Sequence, residues 1–343
     1  MQSQRKTRRA ALGAAAAGVL SLVVALAGCG TVDDTADTSA GGSDDSTIRI
    51  AYIQKQGDQQ YFIDQAEGAK EAAAELGAEV TAINVGDDAN EAISQLETVI
   101  SQGYDAIAIV VPDQKIGPQV IELAAEAGIP LVATDDAIED ADGNPAPFVG
   151  FDGRAMGEEV GAEAARLYSE TDWTPENTRF LSVSKQDLQT CEDRVDGAYD
   201  AFTEATGVDL ERVIVGSDAS NVDSQDQAAA AITGNQGVEN WVVVGCNDES
   251  ETGAVTALQN AGFSPDNIIG VGLGAYLTCK DWQAGVESGN KAALFISGVD
   301  VGRAAVEVLV DAVQNGTELP ANTIADTTIV TPENWEDEGV VCT

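Results

Sequence analysis

The stretch Leu131-Val-Ala-Thr-Asp135-Asp136 decides the predicted fold, and it follows the break Ala127-Gly128-Ile129-Pro130. Its apolar run ends abruptly in two adjacent carboxylates. A buried parallel strand has this form when its C-terminal end opens into a ligand crevice. Successive side chains of a strand point opposite ways, so one aspartate can face the crevice while the other contacts the wall or a cation. A strand end followed by an Asp-rich turn would give the same pattern, so both interpretations stay open.

Strands and helices alternate along the rest of the chain. Before this stretch the pattern predicts strands at 47–53, 79–84 and 104–111, separated by helices at 66–76 and 88–102 and followed by a helix at 118–127. After about Gly150 the alternation begins again, and the last strand is predicted at 327–330. Short loops between alternating elements favour parallel, doubly wound sheets. The sequence therefore predicts an α/β protein with two such blocks.

Composition excludes several classes of function. The 343 residues, enough for two lobes, include 17 basic and 58 acidic side chains, which gives a net charge of −41, and no histidine. Such a surface repels nucleic acid, and it disfavours an anionic substrate unless a local cationic pocket overrides the field. Without histidine, Ser-His-Asp triads and most zinc sites are excluded. An enzyme that uses only carboxylates remains open.

The N-terminus is typical of an exported lipoprotein. A basic head at 4–9 precedes an alanine-rich apolar run at 10–26, which is short for a membrane span. The run ends in Leu26-Ala27-Gly28-Cys29, which resembles the bacterial lipobox. We therefore predict removal of residues 1–28, a lipid on Cys29 that anchors the protein to the outer face of the cell membrane, and a flexible tether at 29–46. Arg8-Arg9 leaves Sec and twin-arginine export both open.

Four cysteines remain in the mature chain, and export makes disulfides possible. Cys342 lies next to the C-terminal residue, where a bond would restrain a fraying end, so we expect it to pair with Cys279. Cys191 and Cys246 are interpreted as free, small and buried. Four cysteines allow three pairings, and the sequence does not choose among them.

Hydrogen-bonding side chains follow several predicted strands in both blocks. They are Lys55, Asp113, Asp135, Asp136, Arg194, Asn247 and Asp248. Each alone is an ordinary strand-end residue, but together they match the donor and acceptor hydroxyls of a sugar. Tyr61 and Phe62 add flat apolar faces for the C–H side of a pyranose ring.

Six motifs carry a resemblance to a known family. They are Lys55-Gln56 with Tyr61-Phe62, Pro112 to Gly117, Thr134-Asp135-Asp136, Thr190 through Arg194 to Gly197, Val244 to Asp248, and Ile268 to Gly272. From about Ile48 to Trp335 the chain resembles the type I periplasmic sugar-binding proteins of ABC importers, and most closely the arabinose-binding members. The resemblance implies a monomer that captures a monosaccharide between two lobes and delivers it to an ABC permease.

The resemblance also implies three chain crossings between the lobes, near 149–152, 294–297 and 327–329. The first lobe would comprise 47–150 and 297–327, and the second 151–296 and 328–343. From the first lobe, Lys55 would bind sugar hydroxyls, and Asp135 and Asp136 would lie near the anomeric and ring oxygens, whereas Arg194 would bind the ring oxygen. Arg194 and Asn247 would reach over from the second.

Further positions match the pocket of this family. They are Gln56, Gln59, Tyr61, Phe62, Phe151, Leu188, Thr190, Cys246 and Gly274. Gln59 stands where the relatives have glutamate and Gly274 where they have asparagine. The space beside Gly274 could admit an exocyclic carbon of the sugar, another side chain or water. The resemblance thus implies an arabinose-like pentose or a related hexose.

Other functions are weaker interpretations of the same residues. A calcium loop at 218–226 lacks the usual glycine and final glutamate, so a helix N-terminus explains it more simply. A glycosidase would need two carboxylates on either side of a bond, whereas neighbouring strand residues diverge. We expect no enzyme activity, no cofactor and no metal. A sugar sensor with the same fold remains an alternative.

Overall fold

The computed structural model describes residues 47–343. The predicted signal peptide, Cys29 and the tether lie outside the described residues. Within the described part, no helix is long and apolar enough to cross a membrane.

The first lobe is built on a sheet of six parallel strands. These are β1 (Ile48–Gln54), β2 (Ala78–Asn84), β3 (Ala106–Ile109), β4 (Leu131–Thr134), β5 (Phe148–Gly150) and β11 (Asn322–Ile324). Their spatial order is β11-β5-β4-β3-β1-β2. The helices of this lobe are α1 (Gln60–Leu76), α2 (Ala89–Ser101), α3 (Gly117–Ala127) and α9 (Gly298–Asn315).

The second lobe repeats the arrangement with one reversed edge strand. Its strands are β6 (Thr178–Ser184), β7 (Glu211–Gly216), β8 (Asn240–Gly245), β9 (Ile268–Gly274), β10 (Asn290–Ile296) and β12 (Thr327–Val330). The order is β12-β10-β9-β8-β6-β7, and only β12 runs antiparallel to its neighbour. The helices are α4 (Gly153–Ser169), α5 (Gln189–Thr206), α6 (Asn221–Gly234), α7 (Asp248–Asn260) and α8 (Cys279–Gln283).

Both faces of each sheet are buried, which explains why the central strands are apolar without alternation. In β1, Ile50 and Tyr52 pack with α1 and α9, whereas Ala51 and Ile53 pack with α2 and α3 on the other face. Full burial of an isoleucine side chain such as Ile50 or Ile53 stabilises the fold by about 1.5–3 kcal/mol. The predicted α/β fold class is confirmed.

Glycines let the helices nearest the cleft approach each other closely. A Cβ at Gly157 of α4 would lie 2.0 Å from the carbonyl oxygen of Arg194 in α5. In the first lobe a Cβ at Gly302 of α9 would lie 1.9 Å from the carbonyl oxygen of Gln65 in α1. A side chain at either glycine would push the helices apart and displace the residues that they carry into the cleft.

The chain crosses between the lobes three times, at residues 151–152, at Ser297 and at residues 325–326. The sequence places the third crossing at 327–329, but Thr327 already pairs with Ile296 in the second sheet. Strand β11 is missed by the sequence pattern because its three residues are too few to show a period.

Helix α5 is longer than the sequence predicts. The apolar pattern indicates a helix only from Ala198, whereas the helix begins at Gln189. The two turns before Ala198 are mostly polar, so they carry little helical periodicity of apolar residues. The longer helix places Arg194 on a rigid element rather than on a loop.

Candidate functional site

The carboxyl ends of the parallel strands in both sheets face a cleft between the lobes. A cavity of about 40 Å³ lies there. Its lining consists of Lys55, Gln56, Gln59, Tyr61, Phe62, Asp135, Asp136, Lys185, Leu188, Cys191, Arg194, Ala219, Asn247, Leu273, Tyr276 and Ile296. Ten of the positions expected to bind a sugar are among these residues. The structure thus brings together groups that lie far apart in the sequence.

Lys55 and Asp136 form a buried ion pair on the first-lobe side. Lys55 directly follows β1 and Asp136 follows β4, and the ammonium nitrogen donates to Asp136 Oδ2. The two residues are only 4% and 1% exposed. The other carboxylate oxygen, Asp136 Oδ1, has no hydrogen-bond partner. Half of this carboxylate is therefore held by the protein and half is available to a ligand.

Asp135 is held in an unusual backbone conformation beside this pair. Its φ is +63°, in the left-handed region that few residues other than glycine adopt. Burial raises the pKa of Asp135, and the Asp136 carboxylate raises it further, whereas Arg194 and Lys55 oppose both effects. Asp135 Oδ1 is buried without a hydrogen-bond partner. The charged form is therefore costly until something donates to it.

Strained backbone is concentrated around the cavity. Gln56, Asp135 and Ala219 line it, with φ of +45°, +63° and +66°, and Ala275, with φ of +73°, follows β9. In residues 47–343 these are all the non-glycine positions with positive φ. Each such position costs about 1–3 kcal/mol, and such strain clusters at ligand sites.

Arg194 brings a guanidinium from the second lobe into the cavity wall. Its Nη1 donates to the carbonyl oxygen of Cys246 at 3.0 Å, and its Nε is buried without a partner. Nη2 lies 3.6 Å from Asp135 Oδ1, across the cleft. This distance is longer than a hydrogen bond, so the guanidinium and the carboxylate face each other with unused bonding capacity.

Aromatic rings form the apolar walls of the cavity. Tyr61 and Phe62 meet edge to face with centroids 5.2 Å apart. Tyr276 was not predicted, and it adds a third ring from the second lobe. A Cβ at Gly274 would lie 2.6 Å from Cε1 of Tyr276, so this ring fills the space beside Gly274. The Tyr276 hydroxyl donates to Glu249 Oε2 at 2.8 Å.

Asn247 lines the cavity, but most of its amide is already used. Its oxygen accepts from the backbone N–H and the hydroxyl of Ser250 and so caps helix α7. Its Nδ2 donates to the carbonyl oxygen of Ala219 at 2.9 Å. One N–H remains for a ligand, so its capacity to bind a sugar is smaller than that of Arg194.

Six positions named from the sequence lie outside this cavity. Asp113 accepts from the backbone N–H of Lys115, Asp248 is fully buried, and the other four are pocket positions of the family pattern. Phe151 and Thr190 line a neighbouring cavity of about 740 Å³ beside the first crossing. Cys246 is fully buried below the cleft, and Gly274 is covered by Tyr276. These four residues were selected by their positions in the sequence. Whether a residue lines the cavity depends instead on the direction of its side chain, which the sequence does not give.

The interpretation of Cys191 and Cys246 as free thiols is wrong, because the two form a disulfide. The sequence contains no signal for this pair, since 55 residues separate the cysteines and only the folded chain brings them together. The structure also joins Cys279 to Cys342, the pair that the sequence favours.

Lys185 is a lining residue that sequence reasoning missed, although it directly follows β6 as Lys55 follows β1. Its ammonium nitrogen lies 3.1 Å from Asp87 Oδ1 of the first lobe. The same strand-end rule that selected Lys55 would have found it.

The acidic segment at 218–226 forms the start of helix α6. Ser220 is its N-cap and accepts from the backbone N–H of Asp223. Within residues 47–343, no cluster of three or more acidic or cysteine side chains has the geometry to hold a metal ion.

Two α/β lobes with polar groups converging on the cleft between them define a two-lobed solute-binding protein. The family model of the periplasmic binding protein domain matches residues 50–318, and the chain belongs to that family. The predicted resemblance is confirmed.

The relatives extend over most of the chain. An L-arabinose-binding periplasmic protein of an ABC transporter from Azospirillum brasilense is 27% identical over 298 residues, which is 85% of this chain and 89% of the relative. An L-arabinose-binding periplasmic protein from Escherichia coli is 24% identical, over 85% of this chain and 90% of the relative. A solute-binding protein of an ABC transporter from Agrobacterium vitis, solved with α-D-tagatopyranose, has a TM-score of 0.75 at 22% identity, over 87% and 100% of the two chains.

Proposed function

We propose that this chain captures a neutral monosaccharide in the cleft between its lobes and serves an ABC importer. The observation that carries the proposal is a set of buried polar atoms without partners, namely Asp135 Oδ1, Asp136 Oδ1 and Arg194 Nε. Each such atom costs about 1–3 kcal/mol as long as nothing binds it. A ligand that donates to the carboxylates and accepts from the guanidinium removes this cost.

The charge of the cavity wall favours a ligand without net charge. Lys55 and Arg194 contribute +2, and Asp135 and Asp136 contribute −2. The fifth charged lining residue, Lys185, is paired with Asp87 at 3.1 Å, so the charges of the wall balance. The net charge of −41 on the whole chain also repels anions. A neutral ligand with both donors and acceptors fits this balance, and sugar hydroxyls supply both.

The aromatic walls support a sugar over other neutral polar ligands. Tyr61, Phe62 and Tyr276 offer ring surfaces that pack on the C–H groups of a pyranose. The names of the relatives include L-arabinose and α-D-tagatopyranose. We therefore propose an arabinose-like pentose or a related hexose as the ligand.

Ligand entry requires the lobes to separate. The cavity of about 40 Å³ holds about three water molecules, which is less than a pyranose needs. Polar contacts cross the cleft between Lys185 and Asp87, and between the backbone N–H of Gln189 and the side-chain oxygen of Gln114 at 2.9 Å. We propose hinge opening at the three crossings, followed by closure around the sugar.

Delivery to a membrane permease is the proposed next step. It is supported by the ABC-transporter names of the relatives. The lipobox-like Leu26-Ala27-Gly28-Cys29 supports anchoring of the protein by a lipid on the outer face of the cell membrane. ATP hydrolysis by another subunit would drive import.

Binding without catalysis is proposed because the two acids differ in role. Asp136 is paired with Lys55, and Asp135 directly precedes it on the chain. Two adjacent residues do not flank a glycosidic bond at the separation that hydrolysis needs. Mass spectrometry of the bound sugar tests this point, since an intact ligand supports binding and a cleaved one contradicts it.

The function is tested by a thermal-shift screen of the mature protein against pentoses, hexoses and polyols. A tight ligand must raise the melting temperature, and calorimetry should then give micromolar affinity or better, about −8 kcal/mol. If no sugar in the screen shifts the melting temperature, the proposal fails.

Arg194→Ala then tests the site itself. The variant should bind the sugar at least tenfold more weakly, because it removes the buried guanidinium whose Nε has no partner in the protein. Arg154→Ala is the matched control, since Arg154 is half-exposed and pairs with Asp200 at the surface. Equal affinity in the two variants would remove Arg194 from the site.

A further inference from the structure

The disulfide between Cys191 and Cys246 lies directly under the ligand cavity. Cys191 is the third residue of α5 and lines the cavity, whereas Cys246 follows β8. Both residues are at least 96% buried. The bond therefore joins two segments that each contribute a residue to the second-lobe side of the cleft, Arg194 from α5 and Asn247 after β8.

Arg194 is tied to the same two segments by its side chain. It lies one turn after Cys191 on α5, and its Nη1 donates to the carbonyl oxygen of Cys246 at 3.0 Å. The covalent bond and the hydrogen bond thus close a small ring through Cys191, Arg194 and Cys246. The distance between α5 and the end of β8 sets the direction in which the guanidinium points.

Arg194 has little else to hold it. In the described part of the chain, Cys246 is the one hydrogen-bond partner of its side chain, and Nε has none. Asp135 faces it at 3.6 Å but belongs to the other lobe, so this contact is lost when the lobes separate. The apolar cluster below has five residues, namely Leu188, Cys191, Val195, Ala219 and Cys246.

We propose that the Cys191–Cys246 disulfide positions Arg194 for the sugar, so that the open protein already presents the guanidinium in its binding geometry. This proposal rests on the proposed function. Preorganised groups bind more tightly because binding does not have to supply the free energy that orders them. Loss of the bond should therefore weaken sugar binding beyond any effect on stability.

The chain contains a matched control for stability. The Cys279–Cys342 bond closes a segment of 63 residues against 55 for Cys191–Cys246, so both should restrain the unfolded chain to a similar degree. Neither Cys279 nor Cys342 lines the cavity. The double variants C191A/C246A and C279A/C342A therefore separate positioning from stability.

The experiment measures sugar affinity by calorimetry and melting temperature by circular dichroism in both double variants. We expect both melting temperatures to fall, whereas only C191A/C246A binds the sugar at least tenfold more weakly. Unchanged affinity in C191A/C246A, or an equal loss in both variants, would overturn the proposal. Sugar binding by the unaltered protein is measured alongside, so a failure of the function itself is seen separately.

A double-mutant cycle shows whether the bond acts through Arg194. Arg194→Ala is introduced into the unaltered protein and into C191A/C246A. If the disulfide positions Arg194, the combined loss of affinity is clearly smaller than the product of the separate losses. If the combined loss of affinity equals the product of the separate losses, the disulfide and the guanidinium act independently and the proposal is refuted.

A second route applies if C191A/C246A does not fold. The C279A/C342A protein is purified folded and treated with a water-soluble phosphine. The phosphine is oxidised to its oxide with oxygen from water, and the two sulfurs of Cys191–Cys246 each gain an electron and a proton. At least tenfold weaker sugar binding by the reduced, folded protein supports the proposal, and unchanged binding contradicts it.

Discussion

Two polar doublets follow buried strands in this protein, Asp135-Asp136 after β4 and Asn247-Asp248 after β8. The sequence gives them the same appearance, and the structure uses them differently. In the first doublet each carboxylate keeps one buried oxygen without a hydrogen-bond partner. In the second, Asn247 caps α7, and Asp248 accepts from the backbone N–H groups of residues 277 and 278 and from the Thr278 hydroxyl.

The difference teaches that unused bonding capacity separates the proposed binding residues from those that only hold the fold. Asp248 is completely buried, and its oxygens hold the loop after β9. Asp135 is almost as buried, yet its Oδ1 has no hydrogen-bond partner and faces the cavity. The comparison would be contradicted if substitution of Asp248 affected sugar affinity more than stability, or if substitution of Asp135 affected stability more than sugar affinity.

The largest effect is expected from Asp248→Ala. It leaves two backbone N–H groups and a hydroxyl buried without an acceptor, so the free energy of unfolding should fall by about 3 kcal/mol or more. Urea denaturation measures the change. The exposed Asp226→Ala is the control and should change stability by less than about 0.5 kcal/mol.

The second-largest effect is expected in the pH dependence of folding stability, through Glu249, which follows the second doublet. Burial, the Asp248 carboxylate and Asp58 across the cleft raise the pKa of Glu249 from 4.5 to about 7, although the Tyr276 hydroxyl opposes the shift. Because the folded state holds the proton more tightly, this group stabilises the fold below pH 4.5 and loses that contribution as the pH rises through 7. The loss is about 3 kcal/mol.

Urea denaturation of the ligand-free protein at several pH values between 5 and 8 measures how the free energy of unfolding changes with pH. Stability should fall as the pH rises, and Glu249→Gln should flatten the fall, because glutamine cannot be deprotonated. The buried Asp135, Asp248 and Glu251 also have raised pKa values and act in the same direction, so part of the slope remains. An unchanged slope in the variant would contradict this assignment.

Asp135→Asn should separate affinity from stability. Sugar binding should weaken at least tenfold, about 1.4 kcal/mol, because the carboxylate charge is lost. The unfolding free energy of the ligand-free protein should not fall, since asparagine tolerates the left-handed conformation and removes a buried charge. Calorimetry gives the sugar affinity, and urea denaturation of the same preparation gives the free energy of unfolding. A variant that is less stable but binds the sugar with full affinity would contradict this prediction.

The smallest effect is expected at Asn247. Serine also caps helices, so Asn247→Ser should change stability by less than about 0.5 kcal/mol, whereas Asn247→Ala should cost about 1 kcal/mol. Both variants lose the single free N–H, and we expect sugar affinity to fall only about threefold. A tenfold loss in Asn247→Ser would place Asn247 among the main ligand groups.

The fold was largely predictable because its signals are local. Apolar runs such as 104–111 and helix stops such as Gly77 and Gly128 lie within a few residues of what they determine. Residues of the candidate cavity were predictable where they directly follow a strand, as Lys55 and Asp135 do. Tyr276 and the partner of Cys191 were not, because their roles depend on segments tens of residues away.

By itself the sequence determined the alternation of strands and helices, the restart after Gly150, and the strand ends that bear charged groups. Only the tertiary structure decided which of these groups stay unpartnered, that Tyr276 covers Gly274, and that Cys191 bonds Cys246 beneath Arg194. The reason is physical. Periodicity and capping act over a few residues, whereas hydrogen-bond satisfaction and side-chain contact depend on distances that exist only once the two lobes have folded.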